Sequence, residues 1–476
     1  MTHLNGLFRR VDALTWRLLG CDAAFAGYLL AVQLWLGLLW FFYQGFGVTR
    51  GIILGGLVAA LFLLRFGARS PLAAISAGAL SLTMLLRGLL IAAVLLDLGM
   101  MAVSSTKSFE TTKIPMDEGQ TSWRAARLLW KGEDPYGAGT LVDLTALRLR
   151  TAQRKQAGIP SLPSGPAMAQ ALTRYDKNLD RKIRTTLLPV SAHRSAARER
   201  ELRLYGYKYG PVILVATALL APTGLPGTVL LLNGLVCFGL FAANWRILKR
   251  ISGRQLALAG AAMLALLLDR HITRNYIDRS ATDVWALLFG SFAVLSFLSR
   301  RPFATAWAVA LAIGCKTMPG LLFLPLVLFF RSPRLVLAFA GMMLVLISPW
   351  LLWDASGFVN NVFLWPLYMT ADSTSWEFFT PHWVALAARV AAAGIVAVLW
   401  WRFLCGKEPR LFWTLAMSAA LILFASGYLR NGYIPWISLW AVAAGVEAFA
   451  SPRAMWITAV APAIASASLH AAEIPQ

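Results

Sequence analysis

The chain has 476 residues, of which 58% are hydrophobic and only 14% are charged. A soluble domain is about 45–50% apolar and about 25% charged, so the composition disfavours a soluble protein and excludes a disordered one. The formal net charge is +22, and the basic residues lie mostly between long apolar runs. Basic residues in this position are typical of the loops between membrane spans, where they set the topology and contact anionic lipid headgroups. The same distribution disfavours nucleic acid as a partner.

Long apolar runs predict an all-α polytopic membrane protein, because a spanning helix needs about 20 apolar residues. Counting these runs gives a bundle of about 13 transmembrane helices with one large outer loop. The expected regions are an N-terminal interfacial helix with the first spans (1–105), an extracytoplasmic loop (106–210), a core transmembrane module (211–352), an outer loop (353–380) and C-terminal spans (381–476).

Basic residues in short loops set the orientation of such a protein, since these loops stay in the cytoplasm. Clusters such as 246–254 therefore face the cytoplasm, which places the loops 106–210 and 353–380 outside. The flanks of the large loop, 118–133 and 169–187, have helical spacing and are predicted to lie as amphipathic helices on the membrane surface.

Three apolar runs are too short to cross a bilayer unaided. The run 211–222 is predicted to form a short helix at the outer side, buried in protein rather than exposed to lipid. The runs 303–318 and 319–330 are separated by Pro319-Gly320, which predicts a shallow hairpin or a broken helix.

The densest group of polar residues begins the large loop, in the sequence IPMDEGQTSWRAARLLWKGEDPYGAG. Asp117 and Glu118 precede a helical stretch that carries Arg124 and Arg127. A carboxylate at the membrane surface can accept a proton from an acceptor hydroxyl. The alternative is structural, because Asp117 can also cap the helix that follows it.

A second polar group, LYGYKYGPV, leads into the short helix predicted after the large loop. It contains Tyr207, Lys208 and Tyr209. Tyrosines at a membrane interface are ordinarily part of an aromatic belt, so this group alone is weak evidence of a site.

A third group is the outer loop LDRHITRNYIDRSATD at 268–283, which is dense in charge. Its cations can hold a phosphate that gains negative charge in a transition state. A solvated turn between two spans is the structural alternative. The candidate residues of this loop are His271, Arg274, Asn275, Asp278 and Arg279.

Lys316 lies in the apolar segment AIGCKTMPG, and no acid is adjacent to it in the sequence. An ionisable residue at membrane depth is a functional hypothesis, because inserting it costs about 2.5–3.5 kcal/mol. The alternative is that its side chain extends to the outer interface, where the ammonium is hydrated.

These motifs together resemble polyprenyl-phosphate-sugar-dependent glycosyltransferases of the GT-C fold, most closely the bacterial mannosyltransferases that use polyprenyl-phosphate-mannose. The likeness rests on an Asp near the start of a first outer loop, followed by A-A-R-x-L-x-x-G-x-D-P-Y. The matching residues over 110–330 are Asp117, Ala125-Ala126-Arg127, Leu129, Gly132, Asp134-Pro135-Tyr136, Tyr209-Gly210-Pro211 and Lys316-Thr317-Met318-Pro319.

The resemblance implies an inverting transfer of a sugar, with mannose the first expectation, at the outer face of a bacterial inner membrane. Asp117 is then the general base, with Glu118 as the adjacent alternative. The implied phosphate-binding residues are Lys316, Arg274, Arg279 and His271. The implied substrate-binding residues are Arg127, Tyr136, Tyr207, Lys208, Tyr209, Asn275 and Asp278.

The implied partners are a polyprenyl-phosphate-linked sugar donor, a glycolipid or polysaccharide acceptor, and membrane lipids. No cofactor is expected: the sequence contains no nucleotide motif, and fixed Lys and Arg can stabilise the leaving phosphate without a metal. A polytopic lipid or sugar transporter or flippase is the alternative function, because it shares the hydropathy of this chain. A scaffold without chemistry is a third reading.

Overall fold

The structure, a computed structural model, describes residues 23–41, 52–59, 61, 117–136, 207–225, 227–267, 269, 272, 276, 281–364, 382–425 and 431–450. Within these ranges the regular structure is helical and contains no strand, which confirms the all-α prediction. The predicted interfacial helix at the N-terminus, the second amphipathic helix at 169–187 and the last predicted span lie outside the described residues.

Thirteen labelled helices follow one another along the described ranges. They are α1 (Ala23–Phe41), α2 (Asp117–Trp130), α3 (Pro211–Ala218), α4 (Thr228–Ser252), α5 (Leu256–Leu267), α6 (Asp283–Leu298), α7 (Pro302–Cys315), α8 (Thr317–Leu321), α9 (Leu324–Leu328), α10 (Pro333–Phe358), α11 (His382–Leu404), α12 (Leu411–Phe424) and α13 (Ile434–Phe449). Short 3-10 helices occupy Ala221–Thr223 and Asn431–Tyr433, and a π-helix occupies Val359–Leu364.

Several of these helices are apolar enough to be membrane spans. Three are also long enough to cross by themselves, namely Thr228–Ser252, Pro333–Ala355 and Trp383–Leu404. The other apolar stretches found in the described ranges are shorter, for example Leu256–Leu267 and Ile434–Phe449, so the predicted count of about 13 spans is not confirmed there. Exposed apolar side chains such as Leu352, at 87% exposure, line the long helices, as expected where a helix contacts acyl chains.

The core of the bundle is an antiparallel hairpin of α6 and α7, with α4 packed on α6 and α10 packed on α7. Helix α13 packs on α12, α1, α5 and α4. Buried amides join α4 to α6 at two levels. Near the start of α6, Trp285 Nε1 donates to Asn233 Oδ1 at 2.9 Å, and further along Asn244 Nδ2 donates to Ser291 Oγ at 3.1 Å. These bonds fix the register of two otherwise apolar helices, since each buried polar group has a partner.

Among the residues that the structure describes, the two ends of this bundle differ in charge. One end holds the start of α6, the end of α7 and the start of α13. The opposite end holds the α6–α7 turn, where Arg250 Nη1 at the end of α4 donates to Ser299 Oγ at 2.7 Å. Exposed basic residues belong to this second end, which we call the basic end; they are Lys249, Arg250, Arg254, Arg300 and Arg301.

The short runs form short or broken helices, as predicted from their length, while the outer-side location of 211–222 stays a prediction. The run 211–222 forms the short helix α3, whose buried side chains include Ile213 and Leu214. The runs 303–318 and 319–330 form a broken helix, because Lys316 adopts an extended conformation (φ −152°, ψ 109°) between α7 and α8. The break therefore lies three residues before the Pro319-Gly320 pair.

Gly210 joins the start of α3 to this break, and the contact requires glycine. Its backbone N–H donates to Cys315 O at 3.0 Å, and an added Cβ would lie 1.9 Å from Gly314 O. That oxygen belongs to the backbone and cannot rotate away. The close approach holds the 207–210 segment beside Lys316.

We expect Gly210→Ala to reduce stability by about 3 kcal/mol or more, because the methyl group overlaps a carbonyl oxygen. Gly341→Ala on α10 is the control, since no heavy atom lies within 4 Å of its added Cβ. It should be neutral or stabilising by up to about 1 kcal/mol. The apparent melting temperatures in detergent compare the two, and equal values would contradict the packing of Gly210.

Candidate functional site

A buried ion cluster of Glu118, Asp283 and Lys316 lies at the end of the bundle opposite the basic end. The Lys316 ammonium donates a short hydrogen bond to Asp283 Oδ1 and lies 3.8 Å from Glu118 Oε1. The side chain of Lys316 is only 14% exposed, and that of Asp283 is 2% exposed. Neither carboxylate is adjacent to Lys316 in the sequence, so helix packing brings both acids to it.

The two carboxylates of the cluster are held at the N-terminus of α6. Asp283 is the first residue of that helix, and Thr282 precedes it as the N-cap. The Thr282 backbone N–H and hydroxyl both donate to Glu118 Oε2, at 2.8 and 3.1 Å. A helix N-terminus attracts negative charge, so its position suits an acidic pair. Glu118 thereby attaches α2 to α6.

Two tyrosine rings lie beside the ammonium. Lys316 Nζ is 5.4 Å from the centroid of Tyr209 and 4.8 Å from that of Tyr433. Both distances are within the range of cation–π attraction. The cluster therefore gives one cation two acids and two aromatic faces. Its summed formal charge is −1.

The 3-10 helix before α13 completes the site through its backbone. Tyr276 Oη donates to Gly432 O at 2.6 Å, and an added Cβ at Gly432 would lie 2.8 Å from Asp283 Oδ2. Only a residue without a side chain leaves the carboxylate in place. Tyr433, the next residue, then reaches Lys316.

Tyr136 and Tyr207, predicted to bind substrate, are fully buried beneath α2. The Tyr207 hydroxyl lies 3.2 Å from Ser122 Oγ, and the Tyr136 hydroxyl donates to Tyr209 O at 3.1 Å. Burial raises the pKa of both phenols, so they remain protonated and neutral at physiological pH. They attach α2 and the segment after it to the 207–210 segment.

An aromatic cluster surrounds Tyr136. Its ring packs edge-to-face on Tyr207, Trp350 and Phe358. Asn361 Nδ2 donates to Tyr136 O at 3.0 Å. The D-P-Y sequence is thus docked on the end of α10, which explains why a large tyrosine follows Asp134-Pro135.

The other residues predicted for the site do not all lie at the ion cluster. Arg127 is exposed, nine residues after Glu118 and so about 13 Å further along α2. Lys208 is partly exposed beside Tyr209. The residues that lie outside the described part of the chain are His271, Arg274, Asn275, Asp278 and Arg279, together with the side chain of Asp117, whose backbone begins α2.

Sequence reasoning missed Thr282, Asp283 and Tyr433 as members of one site. Asp283 is one of several charged residues in the loop 268–283, so its type and position alone do not single it out. Tyr433 gave no signal, because a tyrosine before an apolar run is typical of an interface. Their proximity depends on how α6, α7 and α13 pack, which the hydropathy of each helix does not encode.

Comparison with known proteins gives no family assignment. Neither models of protein families nor curated protein sequences match this chain. Function is therefore inferred from the ion cluster and from the motif on α2. Chemically, a carboxylate here can accept a proton, and the ammonium can stabilise an anion that forms beside it.

We expect Lys316→Met to destabilise the protein by about 3–5 kcal/mol, because two carboxylates stay buried without their shared cation. The triple variant with Glu118→Gln and Asp283→Asn should recover much of that loss, since it removes the charges as well. Denaturant titration in micelles measures both. If Lys316→Met alone were as stable as the unmodified protein, Lys316 would not be the cation that the acids need.

Proposed function

We propose that this chain is an integral membrane glycosyltransferase that moves a sugar from a polyprenyl-phosphate donor to a hydroxyl of a glycolipid or glycan. The observation that carries the proposal is the buried cluster of Glu118, Asp283 and Lys316. One of its acids, Glu118, lies on α2, the helix that begins at Asp117 and bears the motif resembling the GT-C glycosyltransferases. The two halves of that resemblance, the α2 motif and the Lys-x-x-Pro segment, meet at this cluster.

The proposed reaction is a direct displacement at the anomeric carbon. The acceptor hydroxyl gives its proton to the Asp117 carboxylate while its oxygen attacks C1 of the sugar. The bond between C1 and the phosphate oxygen breaks, and its electron pair leaves with the polyprenyl phosphate. Attack from the face opposite the phosphate inverts the anomeric configuration.

Asp117 is the proposed base rather than its neighbour Glu118. Glu118 Oε2 accepts two hydrogen bonds from Thr282, and its Oε1 faces the Lys316 ammonium. Both oxygens of Glu118 therefore already have partners within the protein. Glu118 is better suited to fixing α2, and it remains the alternative base.

The leaving phosphate gains negative charge as the bond breaks, and a fixed cation stabilises it. Lys316 is the proposed cation, because it lies buried where its field is little screened by water. Arg274, Arg279 and His271 are further candidates for this role. No nucleotide or metal is required by this chemistry, since the donor already carries its leaving group.

The charge asymmetry of the bundle supports a site on the extracytoplasmic face. Basic loop residues favour the cytoplasm, and the basic end lies opposite the ion cluster. The proposed location is a bacterial inner membrane, with mannose as the first sugar to test.

We expect Asp117→Asn to lower the transfer rate by about 1,000-fold, within the range that general-base catalysis supplies. Folding should be preserved, because the amide has the size of the carboxylate. Glu133→Gln is the matched control: it removes an exposed acid just beyond α2 and should keep full activity.

Purified protein is incubated with a panel of polyprenyl-phosphate sugars and a membrane lipid extract, and the products are identified by mass. Full activity of Asp117→Asn would remove Asp117 as the base. If Asp117→Asn kept its activity and Glu118→Gln lost it, Glu118 would be the general base.

A transporter or flippase is the second candidate function. The observation that favours it is a charged cluster at a broken helix, which is a common arrangement in transporters. Movement of a substrate across liposomes without release of polyprenyl phosphate would favour this function over the transferase.

A further inference from the structure

We propose that Asp283 is a positioning residue that holds the Lys316 ammonium in the orientation needed to stabilise the leaving phosphate. This inference rests on the proposed transferase function. It concerns a residue outside the motif on α2, and it follows from how Asp283 is itself held in place.

Asp283 is immobilised on both sides. It begins α6, so its backbone belongs to a helix that packs along α4 and α7. Its Oδ2 lies against the backbone of Gly432, where an added Cβ would be 2.8 Å away. Its Oδ1 accepts from Lys316. The carboxylate therefore presents one oxygen to the ammonium in a fixed direction.

Among the contacts of the Lys316 ammonium, the hydrogen bond to Asp283 is the directional one. The Lys316 backbone carbonyl accepts from Gly320 N at 2.9 Å, so the main chain is fixed at the break. The side chain then extends between the rings of Tyr209 and Tyr433. Cation–π attraction is broad and lets an ammonium slide over a ring, whereas a hydrogen bond to a carboxylate is directional.

The two acids then have different roles. Glu118 Oε1 lies 3.8 Å from Lys316 Nζ, which is longer than a hydrogen bond. The donor phosphate can therefore bind the ammonium without breaking a hydrogen bond to Glu118, while the bond to Asp283 persists. A lysine has three N–H donors, so it can bind Asp283 and a phosphate oxygen at once.

The test begins with Asp283→Asn, which keeps the shape and removes the charge. We expect kcat to fall by about 10–100-fold, as for the loss of an orienting partner, with the KM for the donor changed by less than about threefold. An interaction that strengthens as charge develops in the transition state contributes to kcat rather than to KM, so its loss lowers kcat. Unchanged kcat, or a change confined to KM, would overturn the proposal.

Glu447→Gln is the matched structural control. Glu447 is a buried acid whose Oε2 accepts from Phe412 N and Trp413 N at 3.0 and 3.1 Å, at the N-terminus of α12 and far from the cluster. This variant should lower the melting temperature while keeping kcat per folded protein. A loss of kcat in Glu447→Gln equal to that in Asp283→Asn would mean that destabilisation alone explains both.

Chemical rescue separates positioning from folding. Lys316→Ala should be inactive and should regain activity with propylammonium, which supplies the missing cation, but not with propanol. In the double variant Lys316→Ala with Asp283→Asn, the activity that propylammonium restores should be at least tenfold lower. Equal rescue in both backgrounds would overturn the role of Asp283.

The unmodified protein distinguishes failure of this inference from failure of the proposed function. If it transfers no sugar from any polyprenyl-phosphate donor, the transferase function falls, and the positioning role in transfer falls with it. If it transfers sugar and Asp283→Asn does so equally well, only the positioning role is wrong.

Discussion

The cost of burying charge constrains the whole candidate site. An ion removed from water loses several kcal/mol of hydration, and attraction to a partner compensates only when the geometry is good. Lys316, Asp283 and Glu118 satisfy this condition jointly: one ammonium is shared by two carboxylates, and Thr282 binds the second acid. The helices that carry these residues must therefore pack together, and the loop helix α2 becomes part of the bundle.

Polar contacts of α2 extend this coupling along the helix. Glu118 binds α6, Ser122 lies beside Tyr207, and Trp130 Nε1 donates to Ala218 O at 2.6 Å. Each of these contacts is made to a segment that itself packs on the core. A helix from a polar region is thus held in one place by specific bonds as well as by its buried apolar residues Trp123, Ala125 and Ala126. Such attachment suits the proposed role of α2, which is to hold Asp117 at a fixed position.

The sequence predicted the helical class, the short helix α3 and the break near Pro319, because these follow from run length and proline chemistry. It also selected Glu118, Lys316 and Tyr209 as candidates, since charge and aromatic residues are conspicuous among apolar ones. It did not predict that Tyr136 is docked on α10, because Trp350 and Phe358 are more than 200 residues away. Nor could it pair Lys316 with Asp283, since helix packing decides that contact.

The position of the cluster along the helices bears on which function it serves. Asp283 is the first residue of α6, Lys316 follows the last residue of α7, and Tyr433 precedes the first residue of α13. Transporters place their binding residues near the middle of the bilayer, where both sides must gain access in turn. The cluster lies instead at an end that three helices share. A position at one end favours the proposed enzyme, whose lipid-borne donor and hydroxyl acceptor would meet at one membrane surface.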